Sequence, residues 1–281
     1  MDGLHFCVFG LGEAGSLLAT DLLTAGGEVS AFDPAEVPTP DGVRRFVHPS
    51  LAVRRADVVL AVTAGTDAKL AMLQSLDAVR QDAVYADLST GPPQLKIELA
   101  GYAGRRDLPF ADVALMKMVP GHGLATPAVV SGTAADRVAS VLNDAGGRVQ
   151  AIDGPPGAAA AKKLLRSVML KGVAAVLVEA VEAGAALDDL SWLWTNLVTE
   201  IDGADEVWMR RLVTGSATHA RRRAAEMEAA TAMLAELGVD PVMTGATARR
   251  LAGMIGDPPP DLPPPTIPQD LSSSSVFRPP E

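Results

Sequence analysis

The 281-residue chain has a single cysteine, Cys7, set in an apolar run close to its first residue. A disulfide framework and a thiolate metal site are thereby excluded, and Cys7 reads as a small buried apolar residue. Aromatic residues are scarce, at 4% against 48% hydrophobic. The core must therefore be built from Ala, Val and Leu, which suits helices packed closely on a parallel sheet or on one another. Positive charge is also short: 24 Lys and Arg against 34 Asp and Glu leave a net charge of −10. That balance argues against nucleic acid or an anionic membrane as the main partner. His5, His48, His122 and His219 have no ligand-like spacing, so no metal is expected. No apolar stretch reaches the roughly 18 uninterrupted residues of a membrane span, and the first core strand begins too early for a signal peptide. A cytoplasmic protein is expected.

What the chain does have begins at once. The run Leu4–Phe9 leads into Gly10-Leu11-Gly12-Glu13-Ala14-Gly15, a helical stretch follows, and a second apolar run, Val29–Phe32, ends in Asp33. Strand, glycine-rich turn, helix, strand and acid together form the layout of a dinucleotide site. Gly10 allows the tight turn, Gly12 lets the backbone approach a pyrophosphate, and Gly15 lets the helix pack on the strand, while free N–H groups at the helix start hold the phosphates. Asp33 stands where a carboxylate accepts hydrogen bonds from the adenosine ribose. Its charge repels a 2′-phosphate, so NAD is expected over NADP. Arg44 and Arg45 would soften that preference if they folded back.

Further along, Asp57–Val62 is strand-like and runs into Thr63-Ala64-Gly65. A helix from about 67 to 79 follows, then a strand over Ala83–Asp87 that ends in Leu88-Ser89-Thr90-Gly91. More strands are expected near 108–115, 128–130 and 148–152. This alternation predicts a mostly parallel, doubly wound α/β sheet. Ligands of such sheets bind outside the carboxyl ends of the strands, which sets residues 62–65 and Ser89-Thr90 along the same crevice as residues 10–15. A break falls at 153–157, and beyond it strand signals cease. Ala158–Ala186 reads as one long helix with few polar positions, most of whose circumference is expected to be buried. Helices over 190–200, 204–213, 218–237 and 244–254 follow. The expected domains are 1–153 (dinucleotide-binding) and 154–256 (all-helical). A tail over 257–281, which holds nine of the 21 prolines, is expected to be disordered.

Only six residues are lysine against 18 arginines, and three of the six, Lys162, Lys163 and Lys171, lie on the long helix. At 100° per residue Lys163, Ser167 and Leu170 share one face, with Arg166 beside it. A lysine in so apolar a helix either transfers protons with a lowered pKa or snorkels into water or an ion pair. Spacing alone leaves both readings open.

The opening GLGEAGSLLATDLLTAGGEVSAFDP resembles the start of the β-hydroxyacid dehydrogenases, the superfamily that includes 6-phosphogluconate and 3-hydroxyisobutyrate dehydrogenases. The stretches 157–172, 209–216, 219–227 and 237–244 are similar to a branch that resembles phosphogluconate dehydrogenase. The resemblance implies an N-terminal Rossmann domain, then an all-α domain opened by a long inter-domain helix that carries a catalytic lysine. It implies NAD(P) as cofactor, with Gly10, Leu11, Gly12, Glu13, Ala14 and Gly15 around the pyrophosphate and Asp33 on the ribose. Val62, Thr63, Ala64, Ser89 and Thr90 would line the nicotinamide side. Lys163 would be the general acid/base, preferred over Lys162 because it lies eight residues before Lys171-Gly172. A homodimer through the helical domain is implied as well; Trp192, Trp194 and Trp208 read, as large aromatic residues, as core or dimer contacts rather than substrate stackers.

Two departures stand out. The family's substrate loop Asp-Ala-Pro-Val-Ser-Gly-Gly is Asp112-Val-Ala-Leu-Met116-Lys117-Met118 here, and the asparagine one turn after the lysine is Ser167. Both weigh against the usual small hydroxyacids. Met116, Lys117, Met118, Arg166 and Ser167 are the substrate-side residues, with Lys117 and Arg166 suited to an anionic group, whereas His122 reads as a loop residue. The expected reaction is hydride transfer between nicotinamide and a hydroxyl- or oxo-bearing small molecule, hydroxyacid- or aldehyde-like. An imine reductase and a non-catalytic dinucleotide-binding sensor are the alternatives.

Overall fold

The computed structural model describes residues 3–266. They form two compact units that divide between Val168 and Met169, inside the long helix.

The first unit runs β1 (His5–Phe9), α1 (Glu13–Thr24), β2 (Glu28–Phe32), β3 (Arg44–Arg45), α2 (Pro49–Ala52), β4 (Val58–Ala61), α3 (Ala68–Ser75) and β5 (Val84–Asp87). It continues through α4 (Pro93–Gly104), β6 (Phe110–Leu115), β7 (Pro127–Ser131), α5 (Ala135–Asp144) and β8 (Arg148–Ala151) into the start of α6 (Ala158–Ala186). The eight strands form one sheet in the order β3-β2-β1-β4-β5-β6-β7-β8. All neighbouring pairs are parallel except β6 and β7. The doubly wound sheet read from the sequence is therefore present.

Its strands are apolar along their whole length because both faces are covered. On one face Phe6, Val8, Leu60 and Val113 pack with Leu18 and Leu22 of α1 and Val138 and Leu142 of α5. On the other, Cys7, Phe9, Val59, Tyr85 and Phe110 pack with Met72 of α3 and Leu99 of α4. Burying each large side chain contributes roughly 1.5–3 kcal/mol. Cys7 is fully enclosed, and burial pushes its thiol pKa up to about 12, so it is an inert core residue. The chain leaves β1 for β2 on one side and returns to β4 on the other, so the strand order switches at the carboxyl ends of β1 and β4. In open α/β sheets that is where ligands bind.

The second unit is helical: the rest of α6, then α7 (Leu190–Asp202), α8 (Glu206–Thr218), α9 (Ala220–Glu236) and α10 (Val242–Ala252). Helix α8 runs past the expected end at Val213. The hydroxyls of Thr214, Ser216 and Thr218 donate to carbonyls one turn back and stay within the helix. The expected burial of the long helix is not met within one chain. Leu165 (72%), Val168 (75%), Met169 (53%) and Val178 (58%) are exposed. Residues 257–266 have neither helix nor strand, and the Thr266 N–H donates to Glu206 at 2.9 Å. The remainder of the tail, 267–281, lies outside the described residues. Among the described residues no helix is long and apolar enough to cross a membrane.

Candidate active site

At the turn between β1 and α1, Gly10 adopts φ +88°. A Cβ there would lie 2.4 Å from the Val62 carbonyl oxygen, and one on Gly15 would lie 1.8 Å from that of Gly10. Sterics thus require glycine at both positions. Gly12 is different, because a Cβ on it would meet nothing within 4 Å. It precedes the first turn of α1, where no side chain caps the free N–H groups of Glu13, Ala14 and Gly15. Open space beside uncapped helical N–H groups is the cradle a pyrophosphate needs. The Leu11 side chain faces the core, and its N–H donates to Asp33 Oδ2 at 2.6 Å. Asp33 Oδ1 accepts from the Ala35 N–H at 2.8 Å. The acid at the end of β2 is thereby held at the rim of the turn.

A cleft of about 620 Å³ gathers Gly10, Gly12, Asp33, Val62, Thr63 and Ala64. The Thr63 hydroxyl oxygen is buried with no hydrogen-bond partner among the described residues. These residues fit a dinucleotide. Arg45 does not turn toward the cleft: its guanidinium donates to the carbonyls of Asp33 (2.9 Å), Val37 (2.6 Å) and Ala35. Arg44 stacks over Phe46, 4.9 Å from the ring centre.

Ser89 and Thr90 are not on the lining of that cleft. They border a separate small cavity with Lys163, Lys96, Asp112 and Ala160. Lys163 is half-buried and its Nζ donates to Thr90 Oγ1 at 3.1 Å, while Lys162 is exposed. Burial lowers the Lys163 pKa, a positive charge on Lys96 lowers it further, and Asp112 raises it in part. Ser89 is buried and its hydroxyl donates to Asp87 Oδ2 at 2.8 Å, so it serves the interior. Arg166 donates to the Met116 carbonyl, which ties the loop after β6 to α6. Ser167 is half-buried on α6, whereas Lys117, Met118 and His122 are exposed.

Sequence reading missed the charges behind this cavity. Lys96 occupies the buried face of α4 with Leu99 and Ala103, and Asp87 and Asp112 stand side by side in the register of β5 and β6. The signal was available: a lysine at an apolar helical position, and aspartates ending or interrupting apolar strands, need one another as partners.

Comparison with known proteins agrees with this geometry. Residues 5–154 match the NAD binding domain of 6-phosphogluconate dehydrogenase, and residues 185–254 match a domain of unknown function, DUF1932. No curated protein matches the chain. Among solved structures, a conserved hypothetical protein from Sinorhizobium meliloti 1021 is 25% identical, with TM-score 0.58 over 89% of this chain and 87% of that one. A conserved protein of unknown function, described as structurally similar to 3-hydroxyacid dehydrogenases, is 28% identical, with TM-score 0.57 over 89% and 96%. An imine reductase from Myxococcus stipitatus in complex with NADP+ shares the fold at 17% identity, with TM-score 0.76 over 89% and 93%. With more than half its length matched by the first model, the chain belongs to the family of the 6-phosphogluconate dehydrogenase NAD-binding domain.

Proposed function

We propose that the chain is an NAD(P)-dependent oxidoreductase that moves a hydride between nicotinamide and a hydroxyl- or oxo-bearing carbon, with Lys163 as general acid/base. The observation that carries this reading is the half-buried Lys163 amine, its pKa lowered, within hydrogen-bond reach of Thr90. A lysine poised nearer neutrality both gives and takes a proton efficiently. Bound nicotinamide supplies or accepts the hydride. Lys163 would donate its proton to the oxygen as the carbon is reduced and recover it in the reverse direction. Arg166 would hold the Met116–Met118 loop against α6, and the exposed Lys117 would offer a cation to an anionic substrate group. Asp33 favours NAD over NADP, and the engagement of Arg45 with backbone carbonyls removes one cation that would otherwise welcome a 2′-phosphate. A homodimer through the helical unit completes the proposal.

The test is turnover on a panel of hydroxyacids, aldehydes and cyclic imines with NADH and NADPH. Imines belong in it because the chain shares its fold with an imine reductase. Lys163→Ala is expected to lower turnover by about 100-fold or more with cofactor binding nearly unchanged, and Lys162→Ala to do little. Full turnover in Lys163→Ala would refute the assignment. Tight cofactor binding without reaction of any panel member would favour the non-catalytic sensor.

A further inference from the structure

Three charged side chains lie together in the interior next to Lys163. Asp87 and Asp112 are fully buried, and Lys96, 1% exposed, stands between them. Its Nζ is surrounded by acceptors: Asp87 Oδ2, the Asp87 carbonyl at 3.3 Å, the Ser89 carbonyl at 2.6 Å and Ser89 Oγ at 3.4 Å. A nitrogen that must donate in every direction is an ammonium. Asp112 is engaged elsewhere. Its Oδ2 accepts from the Gly157 and Ala160 N–H groups, each at 3.0 Å, at the start of α6. Its Oδ1 has no hydrogen-bond partner among the described residues and lies 3.7 Å from Lys96 Nζ. The cavity that Lys163 enters is lined by Lys96 and Asp112, with Thr90 and Ala160 beside them. Among the described residues no other titratable group lines it.

We propose that Lys96 is a positioning residue for Lys163: a fixed, buried positive charge that makes the neighbouring amine release its proton more readily, with Asp112 acting in the opposite sense. The proposal rests on the reading of Lys163 as the acid/base. A buried ion cluster is weak evidence for stability, because well-packed apolar residues of similar volume often hold a fold as well. What apolar residues cannot supply is a charge in a low-dielectric cavity, where Coulomb forces are stronger than in water. The cation is locked by Asp87 and Ser89, so it cannot turn away when Lys163 takes up a proton. The lowered pKa of Lys163, caused first by burial and next by Lys96, with Asp112 opposing, agrees with this arrangement.

The experiment is competitive acetylation of Lys163 by acetic anhydride across neutral and alkaline pH, read by peptide mass spectrometry in a Lys162→Arg background. The midpoint of labelling reports the amine directly and needs no substrate. Lys96→Met is expected to raise the midpoint by about one pH unit. So is Lys96→Met/Asp87→Asn, which also removes the Asp87 carboxylate that the single variant leaves without its closest cation, should the single variant misfold. Asp112→Asn is expected to lower it. Shifts of opposite sign are not what loosened packing would produce. An unchanged midpoint in the folded Lys96 variants, or a rise in Asp112→Asn, would overturn the proposal. Turnover of Lys163→Ala decides the acid/base reading separately, so failure of one is not mistaken for failure of the other.

Discussion

Gly12 and Gly15 belong to one motif yet respond differently to an added methyl group. On Gly15 it would collide with the Gly10 carbonyl at 1.8 Å, and no side chain can move aside because the obstacle is backbone. Gly15→Ala should therefore destabilise the fold by about 3 kcal/mol or more. On Gly12 it enters open space, so Gly12→Ala should change stability by about 1 kcal/mol or less. Its effect should fall on the cofactor, because the space it fills is where a pyrophosphate would approach. A loss of about tenfold or more in NADH affinity, some 1.4 kcal/mol, with a nearly unchanged melting curve is the expected outcome. Unchanged affinity would mean that the pyrophosphate does not pass Gly12. The same titration, run with NADH and NADPH on the unmodified chain, tests Asp33: tighter NADPH binding would contradict its role.

At the scale of elements, α10 starts on a carboxylate from another helix. Glu179 of α6 accepts the N–H groups of Met243 (2.6 Å) and Thr244 (2.7 Å) as well as the Thr244 hydroxyl. Burial raises the Glu179 pKa, but these three donors together outweigh it, and the net direction is down. A depressed carboxyl stabilises the fold fully above its unfolded pKa of about 4.3 and loses that contribution as pH falls through the lower folded value. Glu179→Gln should therefore lower the melting temperature at neutral pH, by an amount corresponding to about 2 kcal/mol, and flatten its fall in acid. An acid limb as steep as in the unmodified chain would refute the cap. Such a contact between residues 179 and 244 cannot be read from local pattern. What was legible was local: the glycine turn, the alternation of strands and helices, and the long helix with Lys163. The reversal at β7 and the two-residue β3 depend on strand pairing, for which periodicity carries no signal. The Asp87–Lys96–Asp112 cluster, by contrast, left its charges at apolar positions in the sequence without saying which of them pair. Lys162 and Lys163 show the same limit, since spacing puts them on different faces without saying which face is buried.

At the scale of the whole molecule, the two units differ in how much they bury. The sheet unit encloses Phe6, Phe9, Tyr85 and Phe110, whereas the described residues of the helical unit enclose, as apolar side chains, only Leu234, Leu251 and five alanines. Helix α7 buries no residue at all. Trp192 is 62% exposed, Trp194 56% and Val198 50%. So little enclosed apolar surface is a poor match to the conformational entropy of ordering α7–α10 and most of α6. The exposed faces of α6 and α7 are apolar in the way of a homodimer interface, which resembles a core cut in two. The homodimer proposed above would cover this patch with a second copy, since a two-fold arrangement lets one patch cover its own counterpart. Sedimentation at micromolar concentration should accordingly give twice the 29.0 kDa of one chain. Dilution should red-shift the tryptophan emission as Trp192 and Trp194 return to water. Trp194→Glu places a charge in that patch and should shift the equilibrium toward monomer, with the helical unit losing stability as it dissociates. A stable monomer at micromolar concentration, with the tryptophans exposed and the helices intact, would refute the dimer and show that these helices hold together on their own.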